Sequence, residues 1–477
     1  MLFADPAQRE RLEGTLRSQL VRPASLPGPL RALRGQISGR PGAQNFFWLI
    51  ADRGVRLLVA LLVGTWSARY LGVANYGLLN YCAALVAIFA AAAPLGMDGL
   101  VVREIIRDGA ASGCWLGTAI GFRCAAAVIC ATCCIAAGAL LRPAEKLPFA
   151  IVLVLAIGVI GQSLESGELL FQARVQMRSL IVPRLGLLLA MSAIKVGLIL
   201  GGLSVFYFAL LTALEQSLSG LMTLVLARRA LNRGTRLHFE WRRGLGLLQE
   251  SWPLLVAGFA VIVYIRVGQI MLGNFLGDAA LGIYSAGTRV PEMATFLPMV
   301  LASSMLPGMV SSQAQGPEAY KLALLRYFRI NVLLAYSVCL PLSLGAPWII
   351  QVLFHKSYAQ AAPIMAVYAW GLVSVFLGVA RSQHLLNERM TRHSLVFSLI
   401  GLAMTLTLNL LLIPRLGVMG AAVATVVSYT CSGYLASFLF PATRPIARLQ
   451  TLALISPWLA LRRRAAPELR PFSCLGG

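Results

Sequence analysis

The stretch from Leu49 to Asn80, LIADRGVRLLVALLVGTWSARYLGVANYGLLN, is apolar over the length of a membrane span but carries Asp52, Arg53 and Arg56. A related stretch, IRVGQIMLGNFLGDAALGIYSA, runs from Ile265 to Ala286. We therefore predict two related halves, each opening with a charged membrane-length helix. At an offset of 205 residues, Leu71, Gly72 and Gly77 fall on the identical residues Leu276, Gly277 and Gly282, while Tyr70 and Leu78 fall on Phe275 and Ile283.

The composition of the chain indicates an integral membrane protein. Its 477 residues are 58% hydrophobic and only 12% charged, whereas soluble domains carry about 25% charged residues. The formal net charge is +23, but Lys and Arg collect on the cytoplasmic loops of membrane proteins. We therefore predict no nucleic-acid partner. Most of the cysteines lie in apolar runs, where a thiol behaves as a small hydrophobe, and we predict no metal site and no cofactor.

Twelve spans are predicted with a ruler of about 20 apolar residues per membrane-crossing helix. They give an all-α membrane protein with two parallel six-helix lobes around a central cavity, because an even number of spans separates the repeated stretches. Pro291, Pro298 and Pro307 predict a bent or broken eighth span. The predicted spans are 45–68, 76–97, 115–141, 147–170, 180–201, 204–227, 251–276, 281–310, 327–354, 361–386, 391–413 and 417–440.

The positions of the loop cations predict the orientation and the domain boundaries. The connections on one side contain only Arg69, Arg142, Lys146, Lys356 and Arg415, and most other loop cations lie on the opposite side. The positive-inside rule then places both termini in the cytoplasm. We predict a basic disordered tail (1–44), an N-lobe (45–227), a basic linker (228–250), a C-lobe (251–440) and a tail (441–477) whose residues 449–461 form an interfacial helix.

Several ionisable residues fall inside the predicted spans, where charge is costly and usually faces a cavity or another charge. The six cations are predicted to form a ladder that grips phosphates and acidic sugars, because the arginine fork suits phosphate oxygens. The acids are candidates for H⁺ or Na⁺ coupling or for structural pairing. The candidate substrate-binding cations are Arg53, Arg56, Arg123, Lys195, Arg266 and Arg289. The candidate acids are Asp52, Glu165, Glu168, Glu215 and Glu292.

Helical spacing allows two of these pairs to be purely structural. Asp52 and Arg56 are spaced i, i+4, and Arg289 and Glu292 are spaced i, i+3, so each pair can form on one helix face. Arg123, Lys195 and Arg266 have no acid at helical spacing, which favours a role in the cavity. Pairing between different helices remains an alternative for all three.

The order and spacing of several short motifs resemble the polysaccharide transporter family. This family contains the Wzx-type O-antigen and oligosaccharide flippases of the MATE-like multidrug/oligosaccharidyl-lipid/polysaccharide superfamily. The resemblance covers roughly residues 45–440. The motifs are Asp52-Arg53-x-x-Arg56, Ala68-Arg69-Tyr70-Leu71-Gly72-x-x-x-Tyr76-Gly77, Leu95-Gly96-Met97-Asp98, Val102-Arg103-Glu104, Phe171-Gln172-Ala173-Arg174, Gln269-x-x-x-Gly273, Gly282-x-x-Ser285 and Leu416-Gly417-x-x-Gly420.

The resemblance implies a bacterial plasma-membrane flippase that moves undecaprenyl-diphosphate-linked sugar repeat units to the outer leaflet for surface polysaccharide export. Membrane lipid, a polysaccharide polymerase and a chain-length regulator are the further partners it implies. A multidrug/cation antiporter of the same superfamily is the main alternative, and a peptidoglycan-precursor flippase is another. A membrane polymerase would need a sizeable outer loop, and the longest here is about nine residues, so we predict no enzyme.

Overall fold

The computed structural model describes residues 40–143, 145–231, 237–388 and 390–461. These residues form helices and short 3-10 turns, and no strand occurs among them. The helices are α1 (Arg40–Ala90), α2 (Asp98–Arg107), α3 (Ser112–Leu141), α4 (Lys146–Ser163), α5 (Glu168–Ala173), α6 (Arg178–Leu200), α7 (Val205–Ala230), α8 (Trp241–Ala294), α9 (Phe296–Gln313), α10 (Pro317–Leu344), α11 (Ala346–Phe354), α12 (Ala361–Asn387), α13 (Thr391–Leu416), α14 (Val418–Gly433) and α15 (Arg444–Ile455).

Ten apolar helical stretches in the described residues are long enough to cross a membrane, and two of them are long enough to cross twice. Ala51–Ala90 has 40 residues and Trp241–Met305 has 65. At about 1.5 Å per residue, 40 residues span roughly twice a hydrocarbon core of about 30 Å. Each of these two stretches is broken by a glycine and counts as two crossings. The ten stretches therefore give twelve crossings of a multi-pass membrane protein, the number predicted from the sequence.

The two breaks lie at the glycines of the repeated stretch. Gly72 has φ 73° and ψ 172°, and Gly277 has φ 82° and ψ 177°. A positive φ is easily reached only by glycine, which explains why a Leu-Gly pair is kept in both copies. The residues before and after each break are called the first and second legs of α1 and α8.

The second legs pack against each other through a reciprocal contact. A Cβ at Gly77 would overlap the backbone carbonyl oxygen of Asp278, and a Cβ at Gly282 would overlap that of Val73. The 205-residue offset relates Gly77 to Gly282 and Val73 to Asp278, so each contact is the other's symmetry mate. This is the pattern of a two-fold axis between two similar halves.

Three of the predicted spans, the fourth, the eighth and the ninth, are interrupted within their length. The predicted fourth span changes to a 3-10 turn at Leu164–Gly167 before α5 begins. The predicted eighth span is broken at Thr295, between α8 and α9, as its prolines predict. The ninth is divided at Gly345 into α10 and α11.

The structure describes only part of the predicted tails, and it places the start of a helix inside the predicted linker. Residues 1–39 of the predicted tail and the chain after residue 461 lie outside the described residues. Helix α8 begins at Trp241, inside the predicted linker, and the linker backbone at His238 contacts Gly117 of α3. The predicted interfacial segment is helical as α15 and a 3-10 turn (Pro457–Leu461).

Candidate functional site

A cavity of about 560 Å³ lies between the second leg of α1 and helices α2, α3, α4 and α7. The first leg of α8 closes it with Ile262 and Arg266, so residues from both halves of the chain reach the cavity. The part of the lining that α1 contributes is apolar and contains several alanines, while the other helices contribute both apolar and polar side chains. The charged and amide side chains of the lining are Asp98, Arg123, Gln162, Glu165, Glu168, Gln172, Gln216 and Arg266.

Arg123 lies almost completely buried in the cavity wall and is paired with an acid from α2. Its Nη2 donates to Asp98 at 2.8 Å and its Nη1 donates to Ser166 at 3.2 Å. The Arg123 side chain is 7% exposed and that of Asp98 is 61% exposed. Both residues line the cavity, and the carboxylate is the more exposed member of the pair.

Glu165 and Glu168 share a single arginine, Arg184 of α6. Each carboxylate lies 2.8 Å from the Arg184 guanidinium. Ser219 donates a further hydrogen bond to Glu165 at 2.6 Å. Glu165 lies inside the 3-10 turn and Glu168 directly after it, and 3-10 turns within a helix often mark functional positions. The shared arginine leaves the group of three with one net negative charge.

Arg266 and Arg289 lie on the two legs of α8, and Glu292 contacts only the first of them among the described residues. Arg266 Nη1 is 3.7 Å from Glu292 and 3.4 Å from the Gln269 side-chain oxygen. The pairing of Arg289 with Glu292, which their spacing allows, is not formed. Arg289 instead donates to the Ala60 carbonyl at 3.4 Å, and its Nε is buried without a partner.

The other predicted cations lie outside the lining of this cavity. Lys195 and Glu215 pair at 2.7 Å between α6 and α7, so the cavity role expected for Lys195 is replaced by an interhelical ion pair. Asp52 and Arg56 form the predicted i, i+4 pair at 2.9 Å. Arg53 is exposed and has no carboxylate within 4 Å in the described part of the chain.

The lining therefore differs from the predicted surplus of cations. Three carboxylates and two guanidiniums reach the cavity, and both guanidiniums have an acidic partner. The prediction failed here because contacts between helices cannot be read from helical spacing. A cation without a neighbouring acid in sequence can still face one across the bundle.

An ion-pair network closes the space between the halves at the end where the two breaks lie. Arg142 follows α3 and forms two hydrogen bonds with Asp278, at 2.7 and 3.0 Å. Its guanidinium also stacks on the Tyr81 ring at 4.1 Å, and Tyr81 donates to Asn274 at 2.9 Å. Arg142 was predicted as a loop cation, but its side chain is only 10% exposed.

Sequence reasoning missed several residues that the structure brings to the site or buries nearby. Arg184 gives no sequence signal, because it meets its acids across helices. Asp98 and Gln172 were quoted only as members of family motifs and were not predicted as site residues. Arg381 is also buried; it donates to the Gly433 carbonyl and Ser437 at the end of α14 and stacks on Phe397. A cation at a helix C-terminus is a stabilising arrangement.

Comparisons with known proteins agree on a fold and a family. A family model described as "Polysaccharide biosynthesis protein" matches residues 43–313. An inward-facing MATE-family multidrug resistance transporter of the MOP superfamily is 14% identical at a TM-score of 0.62, covering 86% of this chain and 96% of that chain. The lipid II flippase MurJ, in an inward closed conformation, is 14% identical at 0.64, covering 90% and 94%.

A third similar structure is a MOP-superfamily transporter from Pyrococcus furiosus, 14% identical at a TM-score of 0.58, covering 90% of this chain and 98% of that chain. No curated protein matches the chain significantly in sequence. At these identities the structures bear on the fold alone, and they confirm the predicted MATE-like architecture. The family model spans more than half of the chain.

Proposed function

Because the chain belongs to the polysaccharide biosynthesis protein family, we propose that it flips undecaprenyl-diphosphate-linked oligosaccharide units from the inner to the outer leaflet of a bacterial plasma membrane. Both termini then face the cytoplasm, as the distribution of loop cations predicts. Two similar halves around a shared cavity suit alternating access, in which one half rocks against the other. The products serve surface polysaccharide export.

The observation that carries this proposal is the pair Arg266 and Arg289. Arg266 precedes Gly277 by eleven residues and Arg289 follows it by twelve, so both lie about 17 Å from the break along their helices. That distance places them near the middle of a hydrocarbon core of about 30 Å. Arg289 has no carboxylate within 4 Å in the described residues, and Arg266 has only a 3.7 Å contact with Glu292.

A diphosphate group is the ligand that suits these two arginines. A guanidinium binds phosphate oxygens with two parallel hydrogen bonds, and such charge-assisted bonds are stronger than neutral ones. Bound phosphates would also compensate the incompletely paired charge of the two side chains. Arg53 and Arg56, in the first leg of α1 before its break, add one net positive charge to the path, because Asp52 pairs with Arg56.

Ion coupling is proposed at Glu165 and Glu168. Both acids line the cavity and compete for one guanidinium, so a proton or a Na⁺ ion taken up there would neutralise the group of three. Asp52, Glu215 and Glu292 are each paired with a cation outside this group, and we assign them structural pairing.

The proposal predicts that Arg289→Ala weakens binding of an undecaprenyl-diphosphate-linked oligosaccharide by roughly 10- to 100-fold. A charge-assisted hydrogen bond contributes about 1.5–3 kcal/mol, and 1.4 kcal/mol corresponds to a factor of ten. Equilibrium binding to the purified protein in nanodiscs measures the change. Arg242→Ala is the matched control, because Arg242 is exposed in the first turn of α8.

Unchanged binding in Arg289→Ala and Arg266→Ala would contradict the proposed phosphate path.

The acids of the cavity would also suit a cationic drug, so a multidrug/cation antiporter is the alternative function that has to be distinguished. A lipophilic cation such as ethidium, measured in the same nanodiscs, separates them. Tighter binding of ethidium than of the lipid-linked glycan would favour the antiporter.

A further inference from the structure

We propose that the cavity is the subsite for the glycan and that it selects sugar units without negative charge, namely neutral or amino sugars. This rests on the proposed function, because it concerns the sugar part of the same substrate. It replaces the expectation of a path for acidic sugars. The charge that the cavity presents, the mixed chemistry of its lining and its volume lead to this assignment.

Carboxylates are more exposed than their partner cations at most charged positions of the cavity. Asp98 is 61% exposed while its partner Arg123 is 7% exposed. Glu165 and Glu168 are 24% and 26% exposed while Arg184 is 14% exposed and contributes nothing to the lining. Arg266, 33% exposed, is the well-exposed cation among the described lining residues. A carboxylate on an entering sugar would therefore meet like charge at three lining positions and opposite charge at Arg266, and juxtaposed like charges are costly.

The lining offers apolar and polar groups that suit a pyranose ring. Ala83, Ala87 and Ala90 recur at helical spacing on the second leg of α1 and so share one apolar helix face. A sugar can lay its C–H face against such a surface. Gln162, Gln172 and Gln216 also line the cavity, and side-chain amides donate to and accept from hydroxyl and N-acyl groups.

The cavity has the volume of a ligand pocket, and two of its lining residues each keep a buried polar atom without a hydrogen-bond partner among the described residues. Arg123 is 5% exposed overall, and its Nε is buried without a hydrogen-bond partner. The side-chain oxygen of Gln216 is likewise buried and unpaired. Buried polar groups are normally satisfied. The volume of about 560 Å³ also falls in the range of ligand pockets, about 300–1,000 Å³.

The test compares two lipid-diphosphate-linked glycans that differ in one sugar, a neutral hexose or the corresponding uronic acid. Translocation of each is measured in proteoliposomes that contain the purified full-length chain. We expect the neutral glycan to move at least about tenfold faster, because of like-charge repulsion in the cavity. Equal rates, or faster movement of the uronic acid glycan, would overturn the assignment.

Variants that change the cavity charge should shift this preference. Gln162→Lys and Gln172→Lys each add a cation at an exposed position of the lining without removing a buried ion pair. Both should raise the rate for the uronic acid glycan several-fold and reduce the neutral preference. Glu318→Gln is the control, because Glu318 is an exposed acid at the start of α10.

The outcomes separate this inference from the proposed function. Movement of both glycans with no preference, or a preference that neither cavity variant changes, overturns the glycan subsite alone. Movement of neither glycan, with the protein folded and monodisperse, contradicts the flippase proposal and the subsite together.

Discussion

At the scale of single residues, the two acids of the 3-10 turn region depend on Arg184, a cation that was not among the predicted site residues. It holds the carboxylates of Glu165 and Glu168 at 2.8 Å each and reaches Ser219 at 3.4 Å. Two acids without this arginine would face each other in a mostly buried environment. Breaking a buried ion pair by removing one partner costs about 3–5 kcal/mol, more than the pair contributes in total.

Arg184→Met should therefore lower the thermal stability of the purified protein by several degrees, as measured by thermal unfolding in detergent. The triple variant Arg184→Met with Glu165→Gln and Glu168→Gln removes the uncompensated charges and should recover most of the loss. An exposed arginine changed in the same way, Arg107→Met, is the control. No recovery in the triple variant would show that the ion pairs are not the cause.

The residue scale is where prediction from the sequence was least complete. The Asp52–Arg56 pair could be predicted, because i, i+4 spacing on one helix determines the contact. Arg123 and Arg266 line a cavity of the structure, and their role there stays a prediction. Their acidic partners Asp98 and Glu292 could not be assigned, since neither pair has helical spacing: one joins α2 to α3 and the other joins the two legs of α8.

At the scale of helices, the two second legs meet through glycines that leave no room for a side chain. Gly77 lies against the Asp278 carbonyl and Gly282 against the Val73 carbonyl. Both obstacles are backbone atoms, which cannot move aside as a flexible side chain can. The close approach allows α1 and α8 to pack along their length at the axis that relates the two halves.

Gly77→Ala should consequently destabilise the protein, with an expected cost of about 1–3 kcal/mol for overpacking, and should lower the yield of monodisperse protein. Gly186→Ala is the matched control, because Gly186 lies inside α6 with open space around its Cβ position. Alanine is favoured over glycine in a helix by about 0.5–1 kcal/mol, so this variant should be as stable as wild type or slightly more stable. Equal stability of the two variants would contradict the close contact.

The number of membrane crossings and the position of the two sharp turns could be predicted from the sequence. The shorter interruptions within the spans could not. Apolar length gives the crossings, and the repeated Leu-Gly pair marks the turns that Gly72 and Gly277 make. The 3-10 turn at Leu164–Gly167 has no comparable signal, since its φ and ψ angles are close to those of an α-helix. That turn carries Glu165, so the missed detail bears directly on the site.

At the scale of the whole molecule, the two halves of the fold are related by an approximate two-fold axis, but their charged residues are not. The position 205 residues after Arg53 is Gly258, and the position 205 residues before Arg266 is Leu61. The cavity likewise draws most of its wall from the first half and only Ile262 and Arg266 from the second. A symmetric scaffold can alternate between two states while an asymmetric lining binds an asymmetric substrate.

The central claim is that the chain moves a lipid-linked oligosaccharide across a membrane, and the most direct measurement is leaflet-specific detection of that lipid in proteoliposomes. The glycan is loaded in one leaflet, and its exposure to an impermeant lectin or glycosidase is followed with time. Wild type should expose the glycan far faster than protein-free vesicles, while Arg266→Ala with Arg289→Ala should be close to the protein-free rate and Arg242→Ala close to wild type. A wild-type rate equal to that of protein-free vesicles would contradict the account.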